Sequence, residues 1–413
     1  MTFATLPLPA FPVGMTLCSG IGAPEVAAPW IDWRFASEIE PFPRAVLRAR
    51  FGYQLPEDHR QGAPLLWGDM ATVTPAILRA YGLPLPDILV AGTPCQAFSL
   101  AGSRGGLADA RGNLTLSFVE ICHAIQDASP TGRLLAVWEN VPGVLSMRDN
   151  AFGCLLGGIV GGEPFAIPGG GKWPSIGMVS GPRGRAAWRV LDAQYFGCAQ
   201  RRKRVFLVAS LGAGPDPAGI LFESAGGGGH PAPGGKAQET GAIAPTLSAR
   251  TNGGGGLGTD FDLDGGLVVG VTGCVAHTLT AEGFDASEGG TGRGSVIVAA
   301  SSGNVAMCLN AGGGGRLDLE SETFVAGASP EYFVRRLTAP ECHVLQGFPL
   351  DHCRVAVRGK PAAAGPQQKA LGNSMAVPVM RWILDRARGV DAPLAAYDFE
   401  AARAAAWGDT CSD

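Results

Sequence analysis

Short apolar runs alternate with polar or helical stretches over residues 12–210. Met15-Thr-Leu-Cys18 reads as a strand that runs into the turn Ser19-Gly-Ile-Gly22. Asp87 to Ala91, Leu134 to Trp138 and Val205 to Ser210 read as further strands, and Ala45 to Phe51 and Leu116 to Gln126 have helical spacing. Strands alternating with helices predict an α/β fold, with a parallel sheet covered on both faces. Such sheets bind ligands at the carboxyl ends of their strands. Gly20 and Gly22, Cys95 and Glu139 each follow a predicted strand, so they are expected on one edge. Residues 157–184 are Gly-rich and contain proline, and are expected to form a surface excursion.

The pattern changes at about residue 211. Residues 211–330 hold 30 of the chain's 62 glycines. A linker is the ordinary meaning of such composition, but this segment also repeats. Gly241-Ala-Ile-Ala-Pro-Thr-Leu-Ser-Ala249, Gly273-Cys-Val-Ala-His-Thr-Leu-Thr-Ala281 and Gly303-Asn-Val-Ala-Met-Cys-Leu-Asn-Ala311 align without gaps. Each leads through glycines to an apolar closer: Leu267-Val-Val-Gly, Ser295-Val-Ile-Val and Thr323-Phe-Val-Ala. Self-similarity at a fixed period predicts arrayed units, here pairs of short strands joined by long loops.

Composition narrows the classes. The 413 residues suffice for two to three domains. No apolar run approaches the roughly 18 residues of a membrane span. Met1 to Gly14 carries no positive charge, which argues against a signal peptide. Ten cysteines without a CxxC pair predict a reduced, cytoplasmic setting and no metal site. The net charge of −4 is not a nucleic-acid footprint. Residues 211–330 alone carry 4 Lys/Arg against 12 Asp/Glu, so the rest of the chain is net basic.

The chemistry centres on Thr93-Pro-Cys-Gln96, where a rigid proline precedes a cysteine at a strand end. Trp138-Glu-Asn-Val141 and Gln200-Arg-Arg-Lys-Arg204 follow in order. A thiol, a carboxylate and an arginine cluster are what attack on an electron-poor heteroaromatic ring needs. Adding a thiolate to one carbon of such a ring makes it enamine-like, so that the neighbouring carbon can take an electrophile. Cys95 is the candidate nucleophile. Addition is easier when a ring nitrogen is protonated, which a carboxylic acid of raised pKa can do. Glu139 follows an apolar strand, where burial raises its pKa. On a strand, Arg202 and Arg204 fall on one face and Arg201 and Lys203 on the other.

The order of Cys18-Ser-Gly-Ile-Gly22, Gly92-Thr-Pro-Cys-Gln96, Glu139-Asn-Val141, Gln200 to Arg204, Arg336-Leu-Thr338 through Glu341 to Leu345-Gln-Gly-Phe-Pro349, and Gly372-Asn-Ser374 resembles the DNA (cytosine-5) methyltransferases. These six blocks span residues 15–381. The resemblance implies a Rossmann-like, S-adenosylmethionine-dependent methyltransferase domain with a smaller, mainly β or irregular target-recognition domain. It places the first at 1–210 and 366–413 and the second at 211–365. The implied reaction moves a methyl group from S-adenosyl-L-methionine to C5 of a flipped-out cytosine, leaving S-adenosyl-L-homocysteine.

By the same resemblance, Arg204 meets the cytosine O2 and Arg202 supports it. Cys18, Ser19, Gly20, Ile21 and Gly22 approach the methionine part of the donor. Asp69, with Met70, serves the adenine amino group, and Pro94, Leu114, Asn373 and Ser374 lie in further cofactor blocks. Glu40, about 20 residues past the glycine turn, suits the ribose hydroxyls, as an acidic residue does in dinucleotide folds. Gln96, Ser99, Arg201, Lys203 and Arg336 are assigned to DNA. Two positions depart from the family pattern, which has Asp where this chain has Thr16 and Phe where it has Cys18. Losing the Phe removes an adenine-stacking partner and predicts weaker cofactor binding.

The partner implied is double-stranded DNA, engaged by a monomer without a membrane, with a separately acting restriction endonuclease as a further partner. The repeats fit either tandem recognition units, giving a multispecific enzyme, or one domain of similar hairpins. Two alternatives remain open: methylation of structured RNA by the same chemistry, and a catalytically inactive DNA-binding regulator.

Overall fold

The structure is a computed structural model that describes residues 5–94, 114–169, 171–198, 200–222, 324–329 and 331–389. The three repeats, and with them most of the segment expected to read DNA, lie outside the described residues, as do Cys95, Gln96 and Ser99.

Eight strands form one mixed sheet: β1 Val13–Leu17, β2 Asp32–Ser37, β3 Leu65–Trp67, β4 Ile88–Ala91, β5 Leu134–Asn140, β6 Ile176–Ser180, β7 Gly184–Asp192 and β8 Lys203–Leu211. Their order is β3-β2-β1-β4-β5-β8-β7-β6. The first five are parallel, and the last three join antiparallel. The helices of the first half are α1 Ala23–Ala27, α2 Pro41–Phe51, α3 Pro75–Ala80, α4 Leu114–Ala128, α5 Ala151–Ile159 and α6 Pro217–Leu221. After a hairpin of β9 Phe324–Ser329 and β10 Glu331–Arg336 come α7 Ala339–Gln346, α8 Ala364–Asn373 and α9 Val377–Ala387. This is the Rossmann-like α/β class, with a mixed rather than wholly parallel sheet.

Period-two side-chain alternation builds two cores from the central strands. Ile88, Val90, Leu135, Val137, Phe206 and Val208 face a cluster shared with α1 and α9. Leu89, Ala91, Leu134, Ala136, Trp138 and Leu207 face the other, with α4 and α5. Residues 337–363, grouped with 211–365 on sequence, contribute Leu337, Cys342, Leu345, Phe348 and Cys353 to the first cluster. Their packing joins them to α9 and the sheet. Trp30 Nε1 donates to Asp385 at 3.2 Å, tying α9 back to the first hundred residues.

Two expectations change. Residues 157–184 are not a mere surface excursion. They hold the end of α5 and strand β6, and Trp173 is buried against Phe152 and Trp188 with ring centroids 5.6 and 5.8 Å apart. Aromatic burial, not composition, decides the fate of this stretch. The sheet is also not parallel throughout, because β8 pairs antiparallel with β5, Asn140 opposite Val205. That reversal matters for the site. It brings the start of β8, rather than its end, to the edge where β1, β4 and β5 finish.

No helix among the described residues is long and apolar enough to cross a membrane.

Candidate active site

Strand β4 ends in Ala91 and the chain continues as Gly92-Thr93-Pro94. Thr93 is buried and held from three sides. Its hydroxyl accepts from Trp138 Nε1 at 2.8 Å and lies 3.0 Å from the Thr115 hydroxyl, while its carbonyl accepts from Asn140 Nδ2 at 3.0 Å. Two residues of β5 and one of α4 therefore root the segment that leads through exposed Pro94 into Cys95. A Cβ added at Gly92 would lie 2.9 Å from Met375 Cε and 3.7 Å from Glu139 Oε2. The glycine thus lets the Thr-Pro segment sit close beside the carboxylate.

Glu139 is buried at the end of β5, with Oε1 3.2 Å from Arg204 Nε. No aligned hydrogen bond reaches that oxygen from a described group. Burial pushes the Glu139 carboxyl up from its ordinary value, against the opposing pull of Arg204 and then Arg202. The antiparallel pairing of β8 makes the contact, since Arg204 precedes Val205, the partner of Asn140.

Arg202 is 3% exposed, and its Nη2 donates to the carbonyls of Gly372 at 3.0 Å and Ser374 at 2.7 Å. Gln200 Nε2 donates to Leu345 O, and Gln346 Nε2 to Leu371 O, each at 2.8 Å. Three of the sequence blocks are thereby laced together. The Thr338–Glu341 spacing of another is a capping box that starts α7, with the Glu341 carboxylate accepting from Thr338 N at 2.6 Å. Arg201 is half-buried, Lys203 is exposed, and Arg336 ends strand β10.

A cleft opens beside these groups, lined by Cys18, Ser19, Gly20, Glu139, Asn373 and Ser374 among others. The Ser19–Gly22 turn has Gly20 at φ +54° with open space where a Cβ would lie. At Gly22 (φ +81°) a Cβ would fall 2.4 Å from Phe51 Cε2. Gly22→Ala is expected to lower the denaturation free energy by about 1–3 kcal/mol, from a left-handed backbone and an overpacked contact. Urea unfolding checks it.

Glu38 is a residue that the sequence reading missed. It is the first residue past β2, buried, and its Oε2 accepts from Gly20 N at 2.7 Å. Its Oε1 accepts from Ile39 N and Glu40 N, both at 2.8 Å. Burial raises its pKa against those amides. Glu40, expected at the ribose, stands at the N-cap position of α2 without a side-chain capping bond and lies exposed, 3.8 Å from Lys369 Nζ. Ile39 between them is 69% exposed.

Cys18 Sγ lies 3.3 Å from Met70 Sδ, and burial raises its thiol pKa to about 12, with Glu38 and Asp69 adding to the shift. It is a neutral, apolar wall rather than a nucleophile. The Asp69 carboxylate accepts from Ala71 N at 3.0 Å, and Leu114 opens α4. Ile21 is buried, and its carbonyl lies 2.7 Å from His352 Nε2. Among the described residues there is no group of three or more His, Cys, Asp or Glu side chains able to hold a metal ion.

Residues 15–155 match the family model of C-5 cytosine-specific DNA methylases. The chain is 36% identical over 466 aligned residues to a DNA N-6-adenine-methyltransferase of Escherichia phage P1, covering 90% of this chain and 60% of that protein. It is 31% identical over 190 residues to the Type II methyltransferase M.NlaIV of Neisseria lactamica, covering 46% of this chain and 36% of the relative. The chain thus spans less than two thirds of either protein. In fold it is similar to the S. pombe Dnmt2 methyltransferase, with a TM-score of 0.52 at 16% identity over 90% of this chain and 97% of that one. Residues 15–155 thus match the C-5 cytosine-specific DNA methylase family, within a chain of methyltransferase-like fold.

Proposed function

We propose that this protein transfers a methyl group from S-adenosylmethionine to C5 of a cytosine flipped out of double-stranded DNA. The observation that carries the reading is the Glu139–Arg204 ion pair, set beside the anchored Thr93-Pro94 segment at the mouth of the cleft. The cleft fits the methyl donor. Gly20 leaves room for close approach, Glu38 stands at the end of β2 where ribose hydroxyls seek a carboxylate, and Ser374 is held by Arg202. Exposed Ile39 offers an apolar surface beside Glu38. When bound, the donor supplies an electrophilic methyl group.

The chain's own residues do the rest. The Cys95 thiolate adds to C6, and Glu139, whose hold on a proton burial strengthens, gives its proton to N3. Arg204 donates to the cytosine O2 and holds Glu139 in place. After C5 has taken the methyl group, the C5 proton passes to water, the thiolate is expelled, and N3 returns its proton to Glu139, which restores the aromatic ring. Flipping the base costs a few kcal/mol. The net basic remainder of the chain, with Arg201, Lys203 and Arg336, answers the phosphates, and Gln96 and Ser99 flank the nucleophile.

The P1 relative bears the name of an adenine enzyme, but that name describes a different reaction. An exocyclic amine attacks a methyl group with its own nitrogen lone pair, and has no use for a thiolate or a protonated carboxyl at a ring nitrogen. A duplex carrying 5-fluorocytosine tests the assignment, because fluorine at C5 cannot leave as a cation. The wild type is expected to form an adduct stable to denaturant that requires S-adenosylmethionine. Cys95→Ala is expected to form none. An equal yield from the variant would overturn the role of Cys95.

A further inference from the structure

Beneath the donor loop lies a buried chain of oxygens that the reaction above does not use. Tyr53 Oη is 3.0 Å from Glu25 Oε1, which is 2.9 Å from Thr16 Oγ1. Thr16 Oγ1 is 2.8 Å from Ser19 Oγ, and Ser19 Oγ is 3.1 Å from both the carbonyl and the amide of Ser37. Glu25 is 3% exposed, on α1 just past the loop, and its Oε2 is buried without a hydrogen-bond partner.

Counting protons restricts this chain. Each hydroxyl has one proton to give. If Ser19 donates to the Ser37 carbonyl, Thr16 must donate to Ser19, and the Thr16–Glu25 bond then needs its proton from Glu25. The carboxyl is neutral in that arrangement, and its bare Oε2 is a carbonyl rather than a buried anionic oxygen, which would be far costlier. If Glu25 ionises, Thr16 turns to it and Ser19 turns to Thr16. The Ser19 hydroxyl then abandons the Ser37 carbonyl, and one of the three bonds joining the donor loop to β2 is lost; the other two run from Ser19 N to Ser37 O and from Ser37 N to Ser19 Oγ.

We propose that Glu25 is a positioning residue for the methyl-donor loop, a proton-bearing carboxyl that sets the Ser19 hydroxyl through Thr16. This rests on the function proposed above. It gives Thr16, which stands where the family has Asp, a part to play.

The surroundings agree. Burial is the largest influence on Glu25 and raises its pKa to about 7, while its own amide and the Thr16 and Tyr53 hydroxyls pull the other way. Of the charged or titratable groups nearby, Tyr53 is itself pushed up by burial and by Glu25. His352, at the Ile21 carbonyl, is held neutral by burial with a pKa of about 4. Arg381 from α9 is engaged with the Ala27 carbonyl at 3.3 Å, and Glu38 with Gly20 N.

The test is calorimetric binding of S-adenosylmethionine to the full chain between pH 6 and 9, for the wild type, Glu25→Gln and Thr16→Val. Wild-type affinity is expected to fall several-fold as pH rises through about 7 and then level off. Glu25→Gln, which keeps a neutral donor, is expected to bind at all pH values about as the wild type does at pH 6. Thr16→Val is expected to bind weakly with no pH dependence. A wild type with pH-independent affinity, or a Glu25→Gln that keeps the wild-type pH dependence, overturns the assignment while leaving the function intact. A folded chain that binds no S-adenosylmethionine at any pH overturns both.

Discussion

Replacing Glu139 with glutamine is expected to cut the rate of methyl transfer by about 10²- to 10⁴-fold, the range for loss of a general acid, with a much smaller effect on donor binding. The glutamine amide would keep the size of the side chain and a partner for Arg204, but it has no proton of useful acidity for N3. The pH profile separates this from simple disruption. Burial raises the Glu139 pKa, so the acid form persists to higher pH than an ordinary carboxyl would. The wild-type single-turnover rate should therefore fall as pH rises through that raised value. The residual rate of the glutamine variant should lack that limb. A variant of near wild-type rate, or one with an unchanged profile, would remove Glu139 from the chemistry.

The second large effect is expected at Arg202, and it is one of architecture. Arg202→Met fills a similar volume but leaves the carbonyls of Gly372 and Ser374 without their donor. At roughly 1–3 kcal/mol for each of the two buried acceptors left unsatisfied, the fold should lose about 2–6 kcal/mol. The Asn373-Ser374 wall of the cleft should loosen with it. The expected signature is a lower denaturant midpoint and a raised KM for S-adenosylmethionine. An unchanged midpoint would show that the clamp contributes nothing to stability.

Much of the core was legible because its strands are short and apolar on both faces. Ile88 to Ala91 and Leu134 to Trp138 feed two clusters by simple alternation. The direction of β8 was not legible, because an apolar strand buried on both faces looks the same whichever way it runs. Strand β7 was hidden by Arg185 and Arg189, which interrupt its apolar pattern but occupy its half-buried positions. Glu38 and Glu40 looked equivalent by spacing. Pro41 held the distinguishing signal, since proline at the first helical position puts Glu40 at the N-cap position and leaves Glu38 at the strand end. The Glu25 chain could not be read in advance, since its members lie on β1, α1 and the segment after α2 and meet only through packing.

The site's electrostatics explain why its pieces come from distant parts of the sequence. On the proposed mechanism Glu139 serves as an acid, and burial at the end of β5 raises its pKa accordingly. The arginine that offsets that burial must approach from a neighbouring strand, and antiparallel β8 delivers it at its first residues. Thr93, anchored to β5 and α4, fixes where the chain leaves β4 toward Cys95.

Base-resolution bisulfite sequencing of host DNA, after expressing wild type and Cys95→Ala in a methylation-free strain, tests the central claim most directly. The account predicts methylcytosine in one or more short sequence contexts, absent with Cys95→Ala, and the number of contexts reports whether the repeats are separate recognition units. A folded wild type that binds S-adenosylmethionine yet leaves no methylcytosine, whether it marks adenine, RNA or nothing at all, would contradict it.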